Sequence, residues 1–184
     1  MPTTRALLLV RHAPTAATRA AAFPTDEGLD ARGRAAAAGL SAALPTRAEV
    51  LASPARSCRE TAAAAGLEAR VEPALADVDY GAWAGRTLDE VHAVDPEGAA
   101  AWRADPDARP HGGETLRELA ARVEAWLDAQ GGLGGPAVAI THAAVVRAAF
   151  WRIDVPPLAV TELRARGGQW TLARLSCGGG GRQR

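Results

Sequence analysis

The chain has 184 residues, of which 48% are hydrophobic, and this size and composition fit one domain with a sizeable core. Its 21 basic side chains are all arginine and are balanced by 21 acidic ones, without a basic block, which argues against a nucleic-acid partner. The absence of lysine excludes Schiff-base chemistry, and no apolar stretch approaches the roughly 20 residues that a membrane-spanning helix needs.

The first predicted element is a strand over residues 6–10 that is buried on both faces. It ends abruptly in Arg11 and His12. Because ligands of open α/β sheets bind at the carboxyl ends of the strands, this guanidinium and imidazole together indicate a site for an anion that histidine can attack. A single Arg-His pair after a strand is more often a surface feature, so the interpretation requires similar groups at other strand ends.

Strands and helices alternate through the rest of the chain. In order, the patterns predict a helix over 30–44, a strand over 48–53, a helix over 54–65, a strand over 69–75, a short helix from a capping box over 87–90, a helix over 115–129, a strand over 137–142, a helix over 144–151, and strands over 160–164 and 169–175. Pro45 and Gly66 should end the first two helices, and Ser53 should be the N-cap of the second. This alternation predicts one α/β domain over residues 1–177, a three-layer α/β/α sandwich with a mostly parallel central sheet. Residues 178–184 are expected to be a disordered tail.

Three further segments carry anion-binding or acid/base groups. The predicted strand that ends in His142 is followed by Arg147. The strand before Ser53 is followed by Arg56 and Arg59, and the segment after the next predicted strand carries Asp77 beside glycine and aromatic residues. Their recurrence at strand ends favours a catalytic anion site over isolated surface residues.

Together these segments resemble the histidine phosphatase superfamily, the phosphoglycerate-mutase-like enzymes, over about residues 6–176. The motifs that carry the resemblance are Arg11-His12-Ala13 with Thr15 for the family's Arg-His-Gly, residues 29–33 for Leu-Thr-x-x-Gly, Gly112-Gly113-Glu114-Thr115 for Gly-Gly-Glu-Ser, and His142-Ala143-Ala144 for His-Gly-Gly. Their order and spacing together are specific, although no single motif is.

The resemblance implies which residues act and how. His12 would attack phosphorus through a neutral ring nitrogen, while its other ring nitrogen donates a hydrogen bond to a backbone carbonyl, and the product would be a phosphohistidine. His142, protonated, would stabilise charge on the phosphate oxygens. Asp77 stands at the family's acid position, usually Glu, and would protonate the leaving alkoxide with a pKa raised by burial and by the bound phosphate. Asp79 is the lesser candidate for this acid.

The expected substrate-binding residues are Arg11, Arg56, Thr15 and Ala143. The family's third phosphate-binding arginine corresponds to Ser57 in this chain. Because Arg56 is its neighbour in the first turn of a predicted helix, we expect Arg56 to supply the third guanidinium, with Arg59 or Arg147 as the alternatives. The free amides that open this helix could add further donors.

The remaining histidines and the cysteines have simpler interpretations. His92, in a predicted helix, and His111, in a loop, are expected to face solvent rather than to bind a metal, because no metal-ligand spacing connects them. No cofactor is expected. Cys58 and Cys177 are too few for a disulfide framework, which favours a reduced, cytoplasmic setting.

We therefore expect a metal-independent phosphatase that acts on a small phosphorylated metabolite, as a monomer or homodimer, without a nucleic-acid or membrane partner. A cofactor-dependent phosphoglycerate mutase is the alternative, but only residues 85–111 are left for a cap over the site, and this favours hydrolysis. A degenerate protein that binds phospho-ligands with little turnover is a third possibility. Ser57 favours it, as does Ala84, which stands where the family has glutamate, and retention of His12 and His142 opposes it.

Overall fold

One sheet forms the centre of the molecule. The computed structural model describes residues 5–150, 153–166 and 169–176. Within these ranges the strands are β1 Arg5–Arg11, β2 Glu49–Ala52, β3 Arg70–Val71, β4 Gly135–Thr141, β5 Val160–Arg166 and β6 Gln169–Ser176. They form a six-stranded sheet of order β3-β2-β4-β1-β5-β6.

Four of the six strands, including the two that lead into His12 and His142, pair in parallel. β3, β2, β4 and β1 pair in parallel, whereas β5 and β6 are antiparallel to their neighbours. This confirms the predicted mostly parallel central sheet. The register of β1 and β4 sets Arg11 opposite Thr141, so His12 and His142 leave the two strands side by side at the same edge.

Helices cover both faces of the sheet. In the described ranges they are α1 Ala16–Ala20, α2 Ala31–Ala37, α3 Arg56–Ala64, α4 Leu88–Val94, α5 Pro96–Ala104, α6 Leu116–Gly131 and α7 Ala143–Ala149. Side chains of β1 alternate between the two faces: Leu7 and Leu9 pack in a cluster with α6 and α7, and Leu8 and Val10 in one with α2 and α3. The three predicted layers follow from this alternation.

Several helix ends match the sequence signals. Thr87 Oγ1 accepts a hydrogen bond from the Glu90 amide, and the Glu90 carboxylate accepts one from the Thr87 amide, which is the predicted capping box. Thr115 forms the same device at the start of α6. Gly66 follows the end of α3 with a φ of +69°, a conformation that glycine adopts without steric cost.

Two predicted elements are shorter than expected. The single helix over residues 30–44 is instead α2 and a separate 3-10 turn, Leu40–Ala43. Gly39 lies between them, and glycine is a poor helix former. The strand over 69–75 is only β3 followed by a 3-10 turn at Pro73–Leu75, because proline cannot donate a ladder hydrogen bond.

The helix after β2 begins later than predicted, and Ser53 is not its N-cap. α3 starts at Arg56, and its N-cap residue Ala55 makes no side-chain capping bond. The Ser53 hydroxyl accepts the amide hydrogen of Ala55 and contacts His142. The amide of Arg56, expected to be free, donates to Asp26 Oδ1 at 2.7 Å.

The remaining predictions concern the end of the chain and membrane segments. The expected tail at residues 178–184, and the last residue of the helix predicted over 144–151, lie outside the described residues. Among the helices that the structure describes, none has the length and apolar character needed to cross a membrane.

Candidate active site

A cavity of about 190 Å³ lies at the carboxyl ends of β1 and β4. We call it the main cavity. Six of the seven site residues predicted from the sequence line it, namely Arg11, His12, Thr15, Asp77, His142 and Ala143. The parallel pairing of β1 with β4 brings the two histidine motifs together, because the carboxyl ends of adjacent parallel strands lie at one edge.

His12 is held with one ring nitrogen free. Its Nδ1 lies 2.7 Å from the carbonyl oxygen of Ala13, which can only accept, so Nδ1 carries the proton and Nε2 keeps its lone pair. This is the hydrogen bond predicted from the sequence. Burial, and then the nearby His142, lower the pKa of His12 to about 4. His12 is therefore a neutral imidazole at neutral pH, the form a nucleophile requires.

His142 faces His12, with ring centroids 5.1 Å apart and ring planes at 63°. Its Nε2 lies 2.9 Å from Ser53 Oγ. Because Ser53 Oγ already accepts the Ala55 amide, its own hydrogen is available to Nε2, and we assign the ring proton of His142 to Nδ1. Nδ1 is buried and has no aligned hydrogen-bond partner, so this N–H is available to a ligand oxygen.

The surroundings of His142 disfavour the protonated form that the sequence predicted. Burial, and then the charge of Arg11, lower the pKa of His142 to about 4. His142 is therefore neutral at neutral pH. A neutral ring still donates one hydrogen bond through Nδ1, and a bound dianion would raise its pKa.

Asp77 lies beside His142 in surroundings that favour the protonated form of its carboxyl group. Its Oδ2 is 3.3 Å from His142 Nδ1, and its Oδ1 accepts the Val78 amide at 2.9 Å. The side chain is 19% exposed. Burial raises the pKa of Asp77 to about 6, so roughly a tenth of these groups keep their proton at pH 7 and more do so at lower pH. Asp79, the lesser candidate, is exposed and accepts the Gly81 amide instead.

The loop that carries Asp77 is fixed by an arginine that sequence reasoning missed. Arg122 of α6 donates to the carbonyl oxygens of Ala74 and Ala76 at 2.7 and 3.0 Å. The carboxylate of Glu114 binds the same guanidinium at 2.8 and 3.0 Å. The Gly-Gly-Glu-Thr motif singled out Glu114 in the sequence. No sequence pattern indicated that Arg122 is its partner, because the fold brings the two residues together.

Two guanidinium groups line the main cavity, from Arg11 and Arg147. Arg11 donates to the carbonyl of Val155 at 2.6 Å, and its Nε is buried without a partner. Burial, and then the charge of Arg147, lower the pKa of Arg11. Two like charges beside one cavity repel each other, and an anion bound between them would offset this repulsion.

Arg56 is not among the residues that line this cavity. Its side chain is 59% exposed, and its Nε donates to Glu60 Oε1 at 2.7 Å. Arg59 is also exposed and donates to the carbonyl of Pro54. Side chains at adjacent helical positions point in directions about 100° apart. Ser57 lines the cavity, so the side chain of Arg56 points away from it and contacts Glu60. The arrangement does not favour the expectation that Arg56 supplies the third guanidinium.

The main cavity is also lined by Thr15, Ala143 and Glu27, of which Glu27 belongs to none of the sequence motifs. Thr15 is buried at the start of α1, and its Oγ1 donates to Glu27 Oε1 at 2.8 Å. Glu27 also accepts the Thr25 amide, and its pKa lies below its usual value because these bonds together outweigh the opposing effect of burial. Ala143 opens α7, where backbone amides have no intrahelical partner.

His111 is buried, contrary to the expectation that it faces solvent. It is 3% exposed, and its ring packs against Trp102 and Trp83 with centroids 4.4 and 5.0 Å away. Its Nδ1 accepts the Gly113 amide at 2.9 Å. The glycine-rich loop thus folds the histidine into the aromatic cluster. His92 is exposed on α4, and no group of three or more possible metal ligands occurs among the described residues.

Comparisons with known proteins identify a matching family and similar solved structures. The family model described as histidine phosphatase superfamily (branch 1) matches residues 7–178. The crystal structure of TTHB049 from Thermus thermophilus is similar at a TM-score of 0.79 and 30% identity, covering 97% of this chain and 99% of that one. The native structure of mycobacterial glucosyl-3-phosphoglycerate phosphatase Rv2419c has a TM-score of 0.76 and 25% identity, covering 92% and 97% of the two chains.

A curated relative matches part of the chain. The bifunctional protein Rv2228c of Mycobacterium tuberculosis (strain ATCC 25618 / H37Rv) is 33% identical over 131 residues, which are 66% of this chain and 36% of the relative. The chain thus spans well under half the length of the curated relatives of this kind that it matches.

Proposed function

The chain belongs to the histidine phosphatase superfamily, and we propose that within it the protein is a phosphomonoesterase that acts on a small phosphorylated metabolite through a phosphohistidine on His12. The observation that carries the proposal is the free Nε2 of His12. It belongs to a neutral imidazole fixed by the Ala13 carbonyl, in a cavity that also holds Asp77 and two arginines. A nucleophile needs this combination of an available lone pair and positive charge for the anion it attacks.

The first step transfers the phosphoryl group to the enzyme. His12 Nε2 attacks phosphorus as the bond from phosphorus to the alkoxide oxygen breaks. Asp77, which burial keeps partly protonated, gives its proton to that oxygen, and the alcohol leaves neutral. Asp77 becomes a carboxylate, and His12 becomes a phosphohistidine.

The second step uses the same two residues in reverse. The Asp77 carboxylate takes a proton from water as the water oxygen attacks phosphorus, and the bond between phosphorus and Nε2 breaks. Inorganic phosphate is released, and Asp77 is again protonated. Nothing beyond water and the ester is consumed in the cycle.

Three groups are suited to hold the phosphoryl oxygens. Arg11 and Arg147 supply positive charge, and the Nδ1–H of His142 supplies a buried donor. Donors fixed in advance, within a site partly shielded from water, stabilise the charge of the transition state without reorganisation. Thr15 and the first turn of α7 at Ala143 are positioned to add contacts at the cavity wall.

The proposal is tested by incubating purified protein with a panel of phosphate esters after exhaustive EDTA treatment. Release of inorganic phosphate is expected, without a requirement for added metal. Transfer of phosphate to a phosphoglycerate rather than to water would identify a mutase instead. Binding of esters without release or transfer would identify a protein that has lost turnover.

A further inference from the structure

A second cavity opens beside the main cavity. It has a volume of about 260 Å³, and Tyr80, Ala144 and Arg147 line both cavities. The rest of its wall is apolar and comprises Trp102, Leu116, Leu119 and Ala148. We call it the side cavity. Because three residues belong to both walls, the two cavities are adjacent, and the side cavity lies within reach of a molecule whose phosphate occupies the main cavity.

The walls of the side cavity combine aromatic rings with small residues. Tyr80 and Trp102 pack edge to face, with ring centroids 6.3 Å apart and planes at 65°. Ala144 and Ala148 lie one turn apart on α7 and so face the same side. Their methyl groups leave space that a larger side chain would fill. This combination of aromatic rings and small residues suits a flat apolar group.

The side cavity carries a single charged group among the described residues that line it. This group is Arg147, where the two cavities meet. Burial raises the pKa of the Tyr80 hydroxyl well above its usual value, so this group stays uncharged at neutral pH. A polyhydroxylated alcohol would give up its hydrogen bonds to water here and find few replacements. A flat apolar group has no such bonds to give up, and the planar Arg147 guanidinium can stack on its ring.

We infer that the side cavity holds the alcohol portion of the substrate, and that the substrates are monophosphate esters whose alcohol carries an aryl or similarly flat apolar group. This inference rests on the proposed function, because it assumes the phosphate at His12. The side cavity is smaller than the roughly 300–1,000 Å³ typical of sites for drug-sized ligands, which limits the group to one or two rings.

The first experiment compares esters whose leaving groups are chemically alike. 2-Phenylethyl phosphate and glycerol 3-phosphate are both esters of primary alcohols, so a difference in kcat/KM reports binding of the alcohol portion rather than its basicity. We expect 2-phenylethyl phosphate to be preferred by roughly tenfold or more, as for groups that fill an apolar pocket. Equal efficiency, or a preference for glycerol 3-phosphate, would overturn the inference.

Variants then assign the preference to the side cavity. Ala148→Phe fills it and should remove most of the preference by raising KM for 2-phenylethyl phosphate, with little change for glycerol 3-phosphate. Ala125→Phe, on an exposed position of α6, is the matched control and should behave as wild type. If Ala148→Phe does not fold, Ala148→Leu and Trp102→Leu are compared in the same way. A preference that survives all variants that fold contradicts the inference.

A binding experiment separates this inference from the proposed function. Benzylphosphonate and methylphosphonate cannot be hydrolysed, and their dissociation constants are measured by calorimetry on wild type and the side-cavity variants. Tighter binding of benzylphosphonate to wild type, lost in the variants, supports the side cavity even if no ester is hydrolysed. Equal binding of the two phosphonates refutes the inference, whereas hydrolysis of small polar esters would still leave the phosphatase proposal standing.

Discussion

Nδ1 of His142 lies 3.3 Å from Oδ2 of Asp77, and both groups border the cavity that His12 faces. A carboxyl with a raised pKa thus lies beside a histidine with a lowered one. At neutral pH neither group is forced into an ion pair, so Asp77 can give up its proton and His142 can direct its N–H to a ligand. This arrangement fits the proton-transfer role that we propose for Asp77.

Replacement of His12 is the most direct test of the nucleophile. His12→Ala should abolish turnover and the acid-labile phosphoenzyme, because no other described ring nitrogen has the same free orientation in the cavity. The measurement is trapping of labelled phosphate on the protein by denaturation at alkaline pH, followed by loss of the label on acid treatment. His92→Ala, on an exposed position of α4, is the control and should retain both properties. A label that persists in His12→Ala and maps to His142 would reverse the assignment.

Asp77→Asn should lower kcat/KM, which reports the first phosphoryl transfer and not the later hydrolysis, by roughly 10²–10⁴-fold for alkyl esters, the range typical of a general acid. The loss should be smaller for p-nitrophenyl phosphate, whose leaving group needs no proton in the first step. Steady-state kinetics with both esters measure the difference. Asp79→Asn is the matched control, because Asp79 is exposed and does not line the cavity. Equal losses for the two esters would show that Asp77 does not act as the acid.

The pH profile follows from the two shifted groups. His12, with a pKa of about 4, must be neutral to attack, and Asp77, with a pKa of about 6, must be protonated to act as the acid. Activity should therefore fall below about pH 4 and above about pH 6, with kcat/KM greatest between these values. The ester's own second ionisation, near pH ~6, overlaps the alkaline limb. In Asp77→Asn only the enzyme's contribution should disappear, and an unchanged alkaline limb would contradict the assignment.

Arginine variants test which guanidinium acts beside Arg11 in place of the one that the family has at the position of Ser57. Arg147→Ala should cut kcat/KM by a factor of tens to about a thousand, as expected for loss of roughly 2–4 kcal/mol from one oriented donor. Arg56→Ala should cost much less, because its guanidinium is exposed and bound to Glu60. Arg59→Ala is a second surface control. Kinetics in which Arg56→Ala is the more damaged variant would show that α3 rearranges when substrate binds.

Ser57→Arg should strengthen phosphate binding. The Ser57 side chain lines both the main cavity and a smaller one of about 150 Å³ beside it, so a longer side chain has space. An additional charge-assisted hydrogen bond should tighten binding of inorganic phosphate roughly tenfold. Calorimetry measures the dissociation constant, and Ser57→Gln controls for side-chain length without charge. Equal affinities for the arginine and glutamine variants would contradict this prediction.

Much of the fold could be read from local patterns. The apolar run before Arg11 predicts a buried strand, and capping residues such as Thr87 and Thr115 mark helix starts, because these signals depend on neighbours within one turn or a few strand positions. The motifs around His12 and His142 also predicted that two strand ends meet at one site. The Asp77 position came from the family pattern, since an isolated aspartate carries no such signal.

Other features depended on rotations and contacts that no local pattern encodes. α3 begins at Arg56 rather than beside Ser53, so Arg56 turns toward Glu60, while Arg147, from a helix far along the chain, reaches the cavity. His111 is buried because aromatic residues from separate segments surround it.

The amino-acid sequence by itself determined the α/β layering, the two histidine motifs and the strand ends on which they lie, because periodicity and motif order act over short distances. Only the tertiary structure decided which arginine faces the cavity, that Ser53 orients His142 and that Arg122 holds the Asp77 loop. Each of these depends on the direction in which a side chain points from one element toward another. That direction is set by helix phase and packing, and residues far apart in the chain must first be brought together by the sheet.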